Sequence, residues 1–268
     1  MKKYILLIVL LLIVFPVTGL AATIEMFSDD FQGETPGDLP DGYSITVKQL
    51  TDMNNDSADA KIYSSVNPLV VMSAKASVPG NSRARIVISR SSMPAIPAGI
   101  SDFTLSYMFY GYVEADAVGE AYVDYSCNGY QVKITYITPT GVLSIATPSG
   151  SEPLGTYAQD EFHNIVVDMD TAAGTCDVTI GSTTVTNIFL PSSSVSHSFT
   201  VQDQLFSSTV SNKITLFRFD DVVASYDDGV ASDDDGAGNI INNPQTGETS
   251  LLETIIDWFE RSSFGSKP

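Results

Sequence analysis

Gln159-Asp-Glu-Phe-His-Asn-Ile-Val-Val-Asp-Met-Asp170, continued by Thr171-Ala-Ala-Gly-Thr-Cys-Asp-Val-Thr-Ile-Gly181, is the stretch whose reading decides the fold. Ile165, Val167 and Met169 alternate with Asn164, Val166 and Asp168. After Asp170-Thr-Ala-Ala-Gly174, the residues Cys176, Val178 and Ile180 alternate with Asp177 and Thr179. Period-two alternation on both sides of a glycine-bearing turn predicts a β-hairpin with one buried face.

Residues 23–226 carry the same kind of composition. They are rich in Val, Ile, Thr, Tyr and Phe, and Gly, Pro, Asn or Asp interrupts them every ~8–12 residues. That spacing predicts an all-β sandwich or barrel, and about 200 residues suit one large sandwich better than two small domains. Strands are expected at 62–63, 69–73, 84–89, 102–112, 120–127, 130–138, 143–146, 163–169, 176–180, 198–201 and 213–219. No helical periodicity of useful length appears among them.

The two ends read differently. Lys2 and Lys3 precede an apolar run from Tyr4 to Val17, and Thr18-Gly-Leu-Ala-Ala22 ends it in small residues. This pattern predicts a signal peptide over residues 1–22, cut after Ala21 or Ala22, and hence a secreted or surface-exposed chain. The run is short of the roughly 20 residues a membrane span needs. Residues 227–249 hold Asp227, Asp228, Asp233, Asp234 and Asp235 with several glycines, and no Lys or Arg, which predicts an acidic, flexible linker. Residues 250–268 then open with Ser250 and Glu253 at capping-box spacing. Leu251, Leu252, Ile255, Ile256 and Phe259, flanked by Trp258, recur at helical intervals. A helix this short is marginal alone. Its apolar face is expected to dock on its own sandwich or a partner, and the long tether favours a protein partner or a second copy of the chain.

The 13 Lys and Arg include Lys2 and Lys3, so removal of the signal leaves 11 against 32 Asp and Glu, a net charge of −21. That charge repels nucleic acid and anionic lipid. Cys127 and Cys176 are the two cysteines. Export puts them in an oxidising compartment, and both sit at inward positions of their strands, so a Cys127–Cys176 disulfide is expected. The alternative is two free buried thiols.

Glu161-Phe-His-Asn-Ile-Val-Val-Asp-Met-Asp170 with Gly174-Thr-Cys-Asp-Val-Thr-Ile-Gly181 resembles the late hairpin of concanavalin A-like lectin and glucanase jelly rolls and of laminin-G-like domains. Phe27-Ser-Asp-Asp-Phe31 with Thr35-Pro-Gly-Asp-Leu-Pro-Asp-Gly-Tyr43 looks like their opening, and Ile214–Phe219 with Asp220-Asp-Val222 like their closing strand. The resemblance implies an antiparallel two-sheet jelly-roll sandwich. It names no activity, because one fold hosts many. The glucanase branch places three acids at alternate positions of one strand. Glu120-Ala-Tyr-Val-Asp124 has Tyr122 at the middle one, and the lyase branch's strands are not supplied by Arg83-Ala-Arg85 or Gln202-Asp-Gln204. The resemblance thus implies a non-catalytic, lectin-like module for glycans. The competing readings are an adhesive protein assembled through its C-terminal helix and a glycoside-cleaving enzyme.

Two sets of residues are candidate sites. Tyr110, Tyr112, Tyr122 and Asp124 occupy the faces opposite the apolar ones of neighbouring strands, which predicts an exposed patch where rings stack on sugars and a carboxylate bonds hydroxyls. The alternative is ordinary packing or a solvated face. Asp29 and Asp30, with Asp220 and Asp221, meet if the first and last strands pair, and would form an oxygen site suited to Ca²⁺. The alternative is that they serve turns and strand edges.

Overall fold

A computed structural model describes residues 21–51, 56–63, 69–76, 83–208 and 213–231. These residues form fifteen antiparallel strands: β1 (Ala21–Asp29), β2 (Tyr43–Leu50), β3 (Ser57–Ile62), β4 (Val70–Ala76), β5 (Ala84–Arg90), β6 (Asp102–Val113), β7 (Ala117–Cys127), β8 (Tyr130–Thr138), β9 (Val142–Thr147), β10 (Gly150–Thr156), β11 (Phe162–Asp170), β12 (Thr175–Ile180), β13 (Thr183–Phe189), β14 (His197–Ser208) and β15 (Lys213–Ala231). Among the described residues an eight-stranded sheet runs β13-β12-β11-β6-β15-β4-β3, with β1 also paired to β15, and a seven-stranded sheet runs β10-β9-β8-β7-β14-β5-β2. The all-β, two-sheet expectation stands at that level. The signal peptide and the helix with Leu251, Leu252, Ile255, Ile256, Trp258 and Phe259 lie outside the described residues. No described helix is long and apolar enough to cross a membrane.

The deciding hairpin forms as its alternation requires. Ile165 pairs with Ile180, Val167 with Val178 and Met169 with Cys176, and all six side chains are buried. The turn is closed by Gly174 N–H donating to the Asp170 carbonyl at 2.8 Å, and the Asp170 Oδ1 accepts the N–H groups of Ala172 and Ala173, both at 2.9 Å. Gly174 has φ +71°, a left-handed conformation that glycine adopts without steric cost.

The core lies between the inner faces. Phe103, Leu105, Tyr107 and Phe109 of β6 face Val123, Tyr125, Ile134 and Tyr136 of the other sheet, all buried in one cluster. Phe109 meets Tyr136 edge-on at 5.4 Å, and Phe27, Phe31, Tyr43, Phe199 and Phe219 make a second set of ring contacts near the start of the chain. One ionic contact ties the sheets. Arg90 of β5 donates Nε to Asp29 Oδ2 at 3.0 Å and Nη2 to Oδ1 at 3.2 Å, and the Tyr43 hydroxyl donates to Oδ2 at 2.8 Å. A two-pronged guanidinium–carboxylate pair is among the stronger hydrogen-bonded contacts available.

Three expectations need correction. The closing strand runs to Ala231, so Asp227 and Asp228 belong to β15 and not to a linker. Strands β2, β10 and β13 were not anticipated; each lies at a sheet edge and is largely exposed on both sides, which removes the alternation. The Cys127–Cys176 disulfide is not formed, and both are free, buried thiols. Each does point inward, but Cys127 is on β7 and Cys176 on β12, in opposite sheets. The strands that lie across from β7 are β6 and β15, not β12, so the two inward thiols do not face each other. Burial pushes the Cys127 thiol up to about 11 and Cys176 up to about 12.

The packing gives two expected outcomes. Ile165→Ala should lower unfolding free energy by about 2–5 kcal/mol in urea melts, and Val166→Ala, on the opposite side of the same strand, by less than about 1 kcal/mol. A thiol reagent under non-reducing conditions should label both cysteines after denaturation and neither before it; a closed bond in native protein would contradict the placement.

Candidate functional site

The tyrosines expected to form one patch are divided between the two outer faces. Tyr110 and Tyr112 point out from β6 in the eight-stranded sheet, whereas Tyr122 and Asp124 point out from β7 in the seven-stranded sheet. Alternation gave the outward direction of each but not the sheet to which it belongs, so the single four-residue patch does not exist.

On the seven-stranded sheet, Tyr122 and Asp124 lie in a polar array spanning four adjacent strands. Tyr122 pairs with Gln202 of β14, Asp124 with Lys133 of β8, and Gln204 with both Glu120 of β7 and Arg85 of β5. Arg85 Nε donates to Gln202 Oε1 at 2.5 Å, and Gln202 Nε2 donates to Gln204 Oε1 at 3.4 Å. Both glutamines face outward yet are only 2% and 6% exposed. The Lys133 ammonium lies 3.9 Å from the Tyr122 ring centre, a cation–π contact. Gln131 Nε2 donates to Asp124 Oδ2 at 2.7 Å. Burial raises the Asp124 carboxyl, and the Gln131 and Lys133 contacts oppose that shift. Burial also raises the Tyr122 hydroxyl, against the nearby Arg85 guanidinium.

In the sequence, Arg85, Gln202 and Gln204 stand out only as residues that do not supply the lyase strands. The expected strand at 198–201 stopped short of both glutamines, so their shared face with Tyr122 was hidden. Neither histidine joins this array. His163 packs between Phe109 and Tyr157 with Nε2 2.9 Å from the Ala158 carbonyl, and His197 Nδ1 lies 2.7 Å from the Pro94 carbonyl. Glu120 and Asp124 are four residues apart on one strand, about 13 Å along it. That spacing is wider than the roughly 5–9.5 Å between the paired carboxyls of glycosidases.

On the other outer face, the Tyr110 ring meets that of Phe162 at a tilt, 5.3 Å between centres, and its hydroxyl donates to Asp160. Arg218 lies over its ring at 4.6 Å.

The two aspartate pairs do come together, because β1 pairs with β15 and aligns Asp29 with Val222. Their described hydrogen bonds are to neighbouring residues of the fold. Asp29 is taken up by Arg90 and Tyr43. Asp220 and Asp221 form a bulge against β6 in which Asp221 takes φ +49° and donates its N–H to Asp220 Oδ1 at 2.9 Å. Burial, reinforced by Asp221, pushes the Asp220 carboxyl up to about 8, and burial with the Asp30 charge raises Asp221. Among the described residues no three His, Cys, Asp or Glu side chains are grouped to hold a metal ion. The Ca²⁺ expectation has no ligand set there.

With this geometry in hand, comparison with known proteins adds fold-level likenesses. No family model and no curated protein matches the sequence. Among solved structures, the chain is similar to the CBM2 module of an evolved Dit of Lactobacillus casei BL23 phage J-1, with 12% identity, TM-score 0.44, and coverage of 77% of this chain and 97% of that one. It is similar to basic winged bean lectin, with 13% identity, TM-score 0.40, and coverage of 76% and 99%. Alginate lyase A1-II′, of polysaccharide lyase family 7, shows 12% identity, TM-score 0.43, and coverage of 62% and 83%. The chain spans only 18% of a sialidase that it also matches. Likenesses at this level assign neither family nor activity.

The middle residue of Gln202-Asp-Gln204 faces the core. Asp203 is 2% exposed, its Oδ2 accepts the Thr215 hydroxyl of the other sheet at 3.0 Å, and burial pushes it up to about 8. Its folded value lies above the ordinary value of about 3.9. The stability linked to its protonation is therefore complete below that ordinary value and is lost as pH rises through about 8. Asp203→Asn should remove this loss. In urea melts from pH 5 to 8, the variant should gain on the natural chain as pH rises; a constant difference would contradict the assignment.

Proposed function

We propose that the chain is a secreted, non-catalytic recognition module that binds glycan on the outer face of its seven-stranded sheet. The observation that carries the reading is the array of Arg85, Gln202, Gln204, Tyr122, Lys133 and Asp124, ordered on adjacent strands of an outward face. A β face that only meets water has no need of two nearly buried glutamines bonded to each other and to an arginine. Sugar recognition does use such groups, because each hydroxyl both donates and accepts and is satisfied by amides, guanidinium and carboxylate together. The sheet fixes their spacing, so little order has to be created on binding. The hydroxyl-bearing Thr200 and Ser89, bonded to each other at 3.0 Å, extend the same row. The winged bean lectin and the phage CBM2 module resemble the chain only in fold and do not enter this argument.

A glycan array probed with and without Ca²⁺ should show hits that do not depend on the ion. Against a hit, Tyr122→Ala and Arg85→Ala should each weaken binding by roughly tenfold or more; Tyr122→Ala should leave the thermal midpoint near that of the natural chain, whereas Arg85→Ala should lower it by leaving Gln202 Oε1 without its donor. Folded variants that bind with unchanged affinity would place recognition elsewhere.

A further inference from the structure

The outer face of the eight-stranded sheet carries charge at both ends. At one end Asp102, Asp168, Asp170, Asp177 and Asp227 line an open cleft of about 450 Å³. At the other, Lys61, Lys75 and Arg218 point out from β3, β4 and β15, with Asp59 paired to Lys61 at 3.7 Å. Acids flank these cations: Asp160 accepts the Tyr110 hydroxyl, and Asp220 follows Arg218 by two residues on β15.

Arg218 is the unusual member of this group. Its guanidinium carbon lies 4.6 Å from the centre of the Tyr110 ring and 5.3 Å from that of Tyr63, residues on either side of its strand. Among the described residues it donates no hydrogen bond and makes no ion pair, and its Nε is buried with no partner. The fold therefore holds this cation by aromatic rings alone. Its Nε is enclosed, so a ligand would reach the guanidinium through its two terminal Nη groups. That is the approach by which a carboxylate takes two parallel hydrogen bonds. Beside it, Tyr63 is 60% exposed and Phe162 continues the row of rings, an apolar surface of the kind that meets the C–H side of a sugar.

We propose that this is a second binding site, for a sugar that carries a carboxylate. The carboxylate requirement follows from Arg218; the sugar part rests on the reading of the chain as a glycan-binding module. An acidic peptide fits less well. Peptides commonly add to a free strand edge, and β15 is hydrogen-bonded at Arg218 to β6 on one side and β4 on the other.

The test uses the full mature chain, with a galacturonate trisaccharide and its methyl ester as probes in titration calorimetry. The free acid should bind roughly tenfold or more tightly than the ester. Arg218→Lys, which keeps the charge but not the fork, and Tyr63→Ala, at an exposed ring, should each reduce acid binding by a similar factor. Tyr122→Ala on the opposite face should leave it unchanged. Neutral-glycan binding should survive Arg218→Lys, so the two sites fail separately. Equal binding of acid and ester, no binding of the acid, or acid binding lost with Tyr122→Ala and kept with Arg218→Lys would each overturn the proposal. An oligoglutamate peptide that binds as tightly through Arg218 would also overturn it, in favour of a peptide site.

Discussion

The antiparallel pairing of β15 with β6 is the constraint on which the eight-stranded sheet depends. Along its other edge β15 pairs with β4 over Lys213–Phe219 and with β1 from Val222 onward. One strand can serve two successive partners only if its path shifts between them, and Asp220-Asp-Val222 supplies the shift. The extra residue bends the strand, and Asp221 accepts a left-handed backbone that short polar side chains tolerate. On one side of the bulge, Phe217 and Phe219 enter the core and Arg218 is turned outward. On the other, Val222 and Ala224 enter it. The same junction brings Asp29 to the end of β1, where Arg90 and Tyr43 of the second sheet reach it.

Side-chain alternation was legible in the sequence, and it gave the fold class, the deciding hairpin and the inward or outward direction of each candidate. What period two leaves open is the sheet to which an inward or outward residue belongs. Tyr110 and Tyr122 both point outward yet sit on opposite sheets, and Cys127 and Cys176 both point inward from strands that do not face each other. The aspartates failed differently. Pairing of the first and last strands was foreseen, but the sequence gives no sign that Arg90, 61 residues from Asp29, would claim that carboxylate. Edge strands β2, β10 and β13 escaped notice because a strand solvated on both sides has no apolar face to repeat.

Both outer faces carry cations that the core does not require, and they are held in different ways. Arg85 is fixed by an amide and Lys133 by the Tyr122 ring, whereas Arg218, among the described residues, has rings as partners and no polar acceptor. The interior spends its polar contacts on joining the sheets, through Asp29 with Arg90 and through Asp203 with Thr215. This division of labour is why we propose recognition on the outer faces of the two sheets. The loops at its ends, among them Met93–Gly99 and Ser193–Ser196 around His197, line an open groove without the ordered polar array of the sheet face.

Hydrogen–deuterium exchange with and without a bound glycan tests that placement most directly. The account predicts added protection in peptides from β5, β7, β8 and β14, which carry Arg85, Tyr122, Lys133 and Gln202. Protection confined to the end loops 91–101 and 190–196, with those four strands unchanged, would contradict it.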